Sequence, residues 1–397
     1  MFNKSLDDIN FEDIENLITQ GVLEYQNLEY KKEVWGMSDS NKKEMLKDIV
    51  SMANSYGGYL IIGVEEDGQN GKATAIVNIA NAEGERDRIL NTLFANIQPR
   101  ISLKIKVLEN NGVSIIVINI PNSFRKPHII TFQGLNQFWI RHDRGKMLMT
   151  IDEIEDSVIN TVNLTKNIDS FFKDRRNEII RVGGAPTMVI GVYPVLAEKE
   201  MVDISDTQLR EYLKTPPFIR SGGADFTFTY VIPQPSYNGL SIGGGNDRRK
   251  VELYRSGYLE GQVNLSGLLF NSTRQSIPPD PLETEAPIIP SYAIIESLFS
   301  LARQAKQIYS YLGYDGQIFV SCSLFYIQNL GLRKYRPRAI GGFQDLARWR
   351  KDHLEIQPLV FTEIDDVKIA KTIGDRIWQS FGFENEPFFD GRDFRVE

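Results

Sequence analysis

Four carboxylates near the start of the chain are the first residues whose types and spacing can do chemistry. The sequence runs Glu24-Tyr-Gln-Asn-Leu-Glu29-Tyr-Lys31 and, further on, Gly63-Val64-Glu65-Glu66-Asp67-Gly68. Two carboxylates five apart do not share a face of an ideal strand. They converge if Glu24 lies in the turn leading into the strand and Glu29 lies on it. Glu65 and Asp67 share one face by the period-two alternation of a strand. Carboxylates brought together repel, and a hard divalent cation such as Mg²⁺ or Mn²⁺ is the usual relief. Such a cation can activate water and stabilise charge at a phosphodiester. On spacing alone the same residues also read as solvated strand ends, the commoner fate of acidic side chains.

The elements that must hold these groups follow from hydrophobic periodicity. Asn10 to Gln20 carries Phe11, Ile14, Leu17 and Ile18 at helical spacing, with Gly21 as its stop. Val22 to Glu33 is short and β-like. Asp39 or Ser40 caps a long helix running to Asn54, ended by Gly57-Gly58. Tyr59 to Glu65 reads as one buried strand closed by the Asp67-Gly68 turn, with Lys72 to Val77 returning. A second helix is expected from Glu83 to Ile97, before Pro99. Ile101–Leu108 and Val113–Ile120 flank Asn110-Asn111-Gly112, a strong hairpin signal. After the loop Pro121–Pro127 comes a strand at Asn136–His142, then a helix from Asp152 towards Arg176. This order is α+β with a mixed sheet, not a repeating βαβ array.

The character changes near residues 165–180, and a second α/β or α+β domain is expected from 180 to 397. Its expected strands are Thr187–Val195, Phe226–Ile232, Val251–Tyr254, Tyr258–Leu265 and Ile318–Ser323. Its helices are Ser205–Leu213, Tyr292–Tyr311 and Asp365–Phe381. Ser236–Asp247 and the proline-rich Ser276–Pro290 have poor propensity for either. Gly243-Gly244-Gly245 lacks the Gly-Lys-Ser/Thr of a phosphate loop. His128, His142 and His353 are too scattered for a histidine metal site, and Cys322 in an apolar strand reads as an inert buried thiol.

Composition narrows the class. The chain has 397 residues, 42% hydrophobic and 24% charged, which is globular. One cysteine excludes an internal disulfide framework or a thiolate cluster. No signal-like start or membrane-length apolar run is present, so a soluble, cytoplasmic protein in a reducing compartment is expected. A net charge of −7 does not suit bulk nucleic-acid coating but leaves room for a local basic groove. Between Pro121 and Thr150, the cations Arg125, Lys126, Arg141, Arg144 and Lys146 face a single acid, Asp143, and flank aromatic, strand-like segments.

Several motifs together carry a resemblance. Glu24-x4-Glu29-Tyr-Lys31 is followed by Ala53-Asn54-Ser55-Tyr56-Gly57-Gly58 and Leu60-Ile61-Ile62-Gly63-Val64-x2-Asp67-Gly68. Then come Ile97-Gln98-Pro99, Ile118-Asn119-Ile120-Pro121, Trp139-Ile140-Arg141-x3-Gly145 and Asp152-Glu153-Ile154. This ordered set, over roughly Gly21 to Val158, resembles the Schlafen AlbA-like domain. The expected organisation is a helical lead-in at 1–20, the AlbA-like domain at 21–165 and, outside the resemblance, a C-terminal domain of unknown function at 180–397, for which a regulatory or assembly role is the modest inference.

The resemblance implies nucleic-acid binding and, in the Schlafen branch, metal-dependent cleavage of structured RNA such as tRNA at a three-carboxylate site. Glu24 and Glu29 match its first two positions; Asp67 is the expected third, with Glu65 as fallback, and Mg²⁺ or Mn²⁺ the implied metal. Lys31, Arg125, Lys126, Arg141, Arg144 and Lys146 are the expected phosphate contacts, salt-sensitive and largely sequence-independent. Duplex RNA would be selected by shape. Two functions stand as expectations: a metal-dependent endoribonuclease in a bacterial defence setting, and a non-catalytic DNA- or RNA-binding regulator. The Schlafen nucleases clamp a stem between two AlbA-like lobes, whereas this chain has one. A homodimer or higher even oligomer is therefore expected, and an operon partner protein is possible.

Overall fold

The computed structural model describes residues 6–143, 145–182, 184–195, 200–220, 224–245, 248–269, 287–314, 316–333, 346–391 and 393–394. They form two units, Met1–Ile168 and Asp169–Glu397, both α+β.

In the first unit the sequence builds a sheet buried on both faces. Strand β1 (Leu28–Lys31) pairs in parallel with β2 (Gly58–Ile62). The chain continues through β3 (Val64–Glu66), β4 (Ala73–Ile76), β5 (Ile97–Gln98), β6 (Lys104–Asn110) and β7 (Val113–Ile120). The order β1-β2-β7-β6 makes the main sheet, with β7 antiparallel to both neighbours. Its near-continuous apolar runs have a reason. Ile115 and Val117 of β7 pack with helix α1 (Phe11–Thr19), while Ile116, Ile118 and Ile120 pack with α2 (Asp39–Asn54) and α3 (Ala82–Asn96). Helix α2 is capped by Ser38, whose Oγ accepts from Asn41 N–H, one residue before the expected cap. A second antiparallel sheet, β10-β9-β8-β5, joins β8 (Ile129–Ile130), β9 (Gln137–His142) and β10 (Gly145–Leu148) to β5. Helix α4 (Ile151–Val182) follows.

The strand expected over Tyr59–Glu65 is broken at Gly63. A backbone φ of +98° there turns the chain from β2 into the separate β3–β4 hairpin, and a Cβ would lie 2.7 Å from Ile115. Hydrophobicity alone reads through such a break.

The second unit is a seven-stranded antiparallel sheet. Its order is β12 (Gln234–Pro235), β13 (Gly239–Gly243), β14 (Arg249–Tyr254), β15 (Leu259–Asn264), β11 (Thr187–Pro194), Ile318–Phe325 and Leu354–Phe361. Helices α5 (Thr207–Lys214), α6 (Ser291–Tyr311) and α7 (Asp366–Ser380) supply the rest of its core. The strand expected at Phe226–Ile232 does not form. Phe226 N–H donates to Ser300 Oγ and Phe228 N–H to the Lys214 carbonyl, so this backbone is spent on helices while both rings plug the core. Residues 276–286 of the proline-rich stretch lie outside the described residues. Among the described residues no helix is long and apolar enough to cross a membrane.

Candidate functional site

Alternation along β1 divides its residues between two environments. Leu28 and Tyr30 join the core beside α1, so Glu29 and Lys31 point to the α2 side. There Glu29 is nearly buried and accepts from Arg141 Nη1 of β9, with Lys31 Nζ at 2.9 Å. Lys31 also reaches Asp48 at 3.0 Å, a carboxylate with no exposure on the inner face of α2. Asp48 accepts in turn from Trp35 Nε1 at 2.8 Å and from Lys146 of β10, which pairs with Glu44 as well. Three acids and three bases thus alternate through the layer between α2 and the two sheets. Burial works against the Lys31 charge, but Asp48 and Glu29 outweigh it and hold the ammonium well above its ordinary range; Lys146 is raised by the same balance.

Glu24 sits at the margin of this network. Its N–H donates to the Gly71 carbonyl and Leu23 bridges Lys72, which lays the residue along the β3–β4 hairpin. Its carboxylate accepts from Tyr30 N–H at 2.7 Å. Partial burial pushes its pKa up, and the neighbouring acids Glu66 and Glu29 push further, against the Tyr30 N–H.

The other two expected ligands go elsewhere. Asp67 Oδ1 accepts from the N–H groups of Gln69, Asn70, Gly71 and Lys72, so it closes the hairpin turn, and Asn70 N–H leads in holding its pKa down. Glu65 pairs with Lys32 at 2.8 Å, and a bulge between Glu65 and Glu66 upsets the alternation that would have aligned Glu65 with Asp67. A hard cation needs several converging oxygens with free lone pairs. Glu29 is paired with two cations, one on each oxygen, and Asp67 Oδ1 is turned inward to four backbone N–H groups. Among the described residues no cluster of three or more His, Cys, Asp or Glu has metal-ligating geometry. As they stand, Glu24, Glu29 and Asp67 do not fit Mg²⁺ or Mn²⁺.

The expected phosphate contacts divide in the same way. Arg141 is 2% exposed, against the surface role foreseen for it, because Glu29 binds its guanidinium in the interior. Lys31 and Lys146 are committed to acids. Arg125 is exposed on the loop before β8. Lys126 is largely buried, donates from Nζ to the Ser55 carbonyl and has its pKa lowered to about 8 by that burial. Arg144 lies outside the described residues.

A family model described as Schlafen, AlbA_2 matches residues 24–150. This segment is a Schlafen AlbA_2 domain. The assignment points to a nucleic-acid-related function. No curated protein matches the chain. Among solved structures, the DIP2311 protein of Corynebacterium diphtheriae is similar at 14% identity and TM-score 0.24, over 35% of this chain and 26% of its own length. The N-terminal domain of a putative ATP-dependent DNA helicase RecG-related protein of Nitrosomonas europaea is similar at 17% identity and TM-score 0.27, over 36% of this chain and 93% of that one. The chain therefore spans about a quarter of the first of these structures.

Within the Schlafen AlbA_2 domain, sequence reasoning gave no individual role to Asp48, Ser55 or Glu66. Asp48 had a visible signal: it falls among Met45, Ile49 and Met52 on the apolar stripe of α2, where a carboxylate must find a partner. Asn54 and Ser55 belong to the family motif, and their work is structural. Asn54 Nδ2 donates to the His128 and Trp139 carbonyls while its Oδ1 accepts from His128 N–H. Ser55 Oγ exchanges hydrogen bonds with the Arg141 backbone. Glu66 carried no sequence signal, because only the hairpin's placement brings it beside Glu24.

Proposed function

We propose that the Schlafen AlbA_2 domain binds nucleic acid as a regulatory module and does not cut it in its resting arrangement. The observation that carries this reading is the double capture of Glu29 by Arg141 and Lys31, which neutralises the carboxylate a hydrolytic metal would need. Binding falls to the loop before β8, where exposed Arg125 offers a guanidinium to backbone phosphate. The second unit, with its own core, is an assembly or signalling module.

One observation favours the endoribonuclease as the second reading: Glu24, Glu29 and Glu66 repel one another, a tension that a divalent cation relieves. That reading requires Glu29 to leave Arg141 and Lys31. An activity gel separates the two. The full chain is incubated with total tRNA, with and without Mn²⁺, beside Glu24→Gln. Intact RNA in every lane supports the binding module; Mn²⁺-dependent cleavage lost in Glu24→Gln overturns it.

A further inference from the structure

Two tight turns meet beside the Arg141 strand, and each exposes a tyrosine. In the first, Tyr25 and Leu28 exchange both backbone hydrogen bonds at 3.1 Å, which fixes Tyr25 immediately before β1. In the second, Ser55, Tyr56 and Gly57 turn the end of α2 into β2. The turns are locked together through their backbones. Tyr59 N–H donates to the Asn27 carbonyl, and Gly58 lies so close that a Cβ there would stand 2.0 Å from Asn27 O. A third tie is shared: the Arg141 carbonyl accepts from Gln26 Nε2 at 3.2 Å and from Ser55 Oγ at 2.8 Å. Gln26 follows Tyr25 and Ser55 precedes Tyr56, so both tyrosines stand next to residues that grip one carbonyl.

Despite this rigid support, Tyr25 is 60% and Tyr56 67% exposed, and neither hydroxyl has a hydrogen-bond partner among the described residues. Neither ring serves the core. Two large aromatic faces on pre-ordered backbone lose little freedom when a flat ligand covers them. Cationic groups border the same place, since Lys126 Nζ reaches the Ser55 carbonyl and Arg125 adjoins it. Aromatic faces beside cations are the features by which proteins hold unpaired nucleobases on a charged strand.

We propose that Tyr25 and Tyr56 form a stacking platform for unpaired bases, so that the domain grips single-stranded segments, loops or frayed ends in preference to a closed duplex. This deepens the nucleic-acid-binding reading and rests on it. It also departs from recognition of duplex RNA by shape alone.

The test measures fluorescence anisotropy of the full chain with two labelled probes: an oligouridylate of about twelve nucleotides and a blunt RNA duplex of the same length. The expected result is tighter binding of the single strand. Tyr25→Ala and Tyr56→Ala should each weaken it by about tenfold, Tyr25→Phe and Tyr56→Phe should keep it, and duplex affinity should stay within about twofold. Equal loss of both probes in the alanine variants overturns the platform. So does unchanged single-strand binding, which would leave the rings as anchors for a protein partner. If the wild-type chain binds neither probe, the nucleic-acid reading itself falls, and the platform with it.

Discussion

At the scale of single residues, the Glu29–Arg141 pair is the most consequential contact in the first unit. Arg141 is almost wholly buried, and removing one partner of a buried pair costs about 3–5 kcal/mol because the other charge is stranded. Lys31 remains beside Glu29, so Arg141→Met should cost about 3 kcal/mol, read from urea denaturation. Combining it with Glu29→Leu should recover much of that loss, since the carboxylate goes too. If the double variant is as unstable as the sum of the singles, the pair is not what holds the layer.

His128 gives a second residue-scale prediction, one of pH. Burial, helped by Lys126 and Arg125, lowers its pKa to about 4 against the Pro99 carbonyl that its Nδ1 contacts. The folded state therefore stays neutral where the unfolded state, titrating near 6.5, has already taken a proton. Its contribution is fully present above about pH 6.5 and is lost as pH falls towards 4, on the order of 3 kcal/mol in all. In His128→Gln, the fall in stability between those pH values should be shallower than in the wild type. Parallel curves would mean that His128 is hydrated in the folded chain.

At the scale of elements, Gly58 is where the site's geometry is decided. Its φ of +135° and its approach to the Asn27 backbone leave no room for a side chain. Gly58→Ala should destabilise by roughly 2 kcal/mol or more, and should weaken nucleic-acid binding by parting the two turns. Retention of both properties would refute the packing described for Asn27. Much of this level was legible beforehand. The Asn110-Asn111-Gly112 hairpin, helices α1 to α3 and β7 follow from periodicity and turn chemistry. What was not legible depends on contacts between distant residues. The break at Gly63 requires Ile115 opposite it, and the lost strand at Phe226 requires Ser300 and Lys214. The same holds for the candidate site. Glu24 and Glu29 were singled out by their spacing only together with the family resemblance, whereas the neutralisation of Glu29 depends on β9 arriving from more than a hundred residues away.

At the scale of the whole molecule, charge and stoichiometry set the last expectation. The chain carries −7 overall, and pairing removes Lys31, Arg141 and Lys146 from the cations available to a ligand. A single domain then offers few phosphate contacts, which gives weak binding with a shallow dependence on salt. Two copies related by a twofold axis double those contacts on one ligand without any new sequence. We therefore expect light scattering of the nucleic-acid complex to give, once the ligand's mass is subtracted, a protein mass twice the 45.3 kDa of the chain. In the dimer, Arg125→Glu should flatten the slope of log affinity against log salt by about two contacts, since each substitution acts in both copies. A protein mass that stays at 45.3 kDa at high protein concentration and within the RNA complex would exclude the twofold arrangement, leaving one domain to hold its ligand alone.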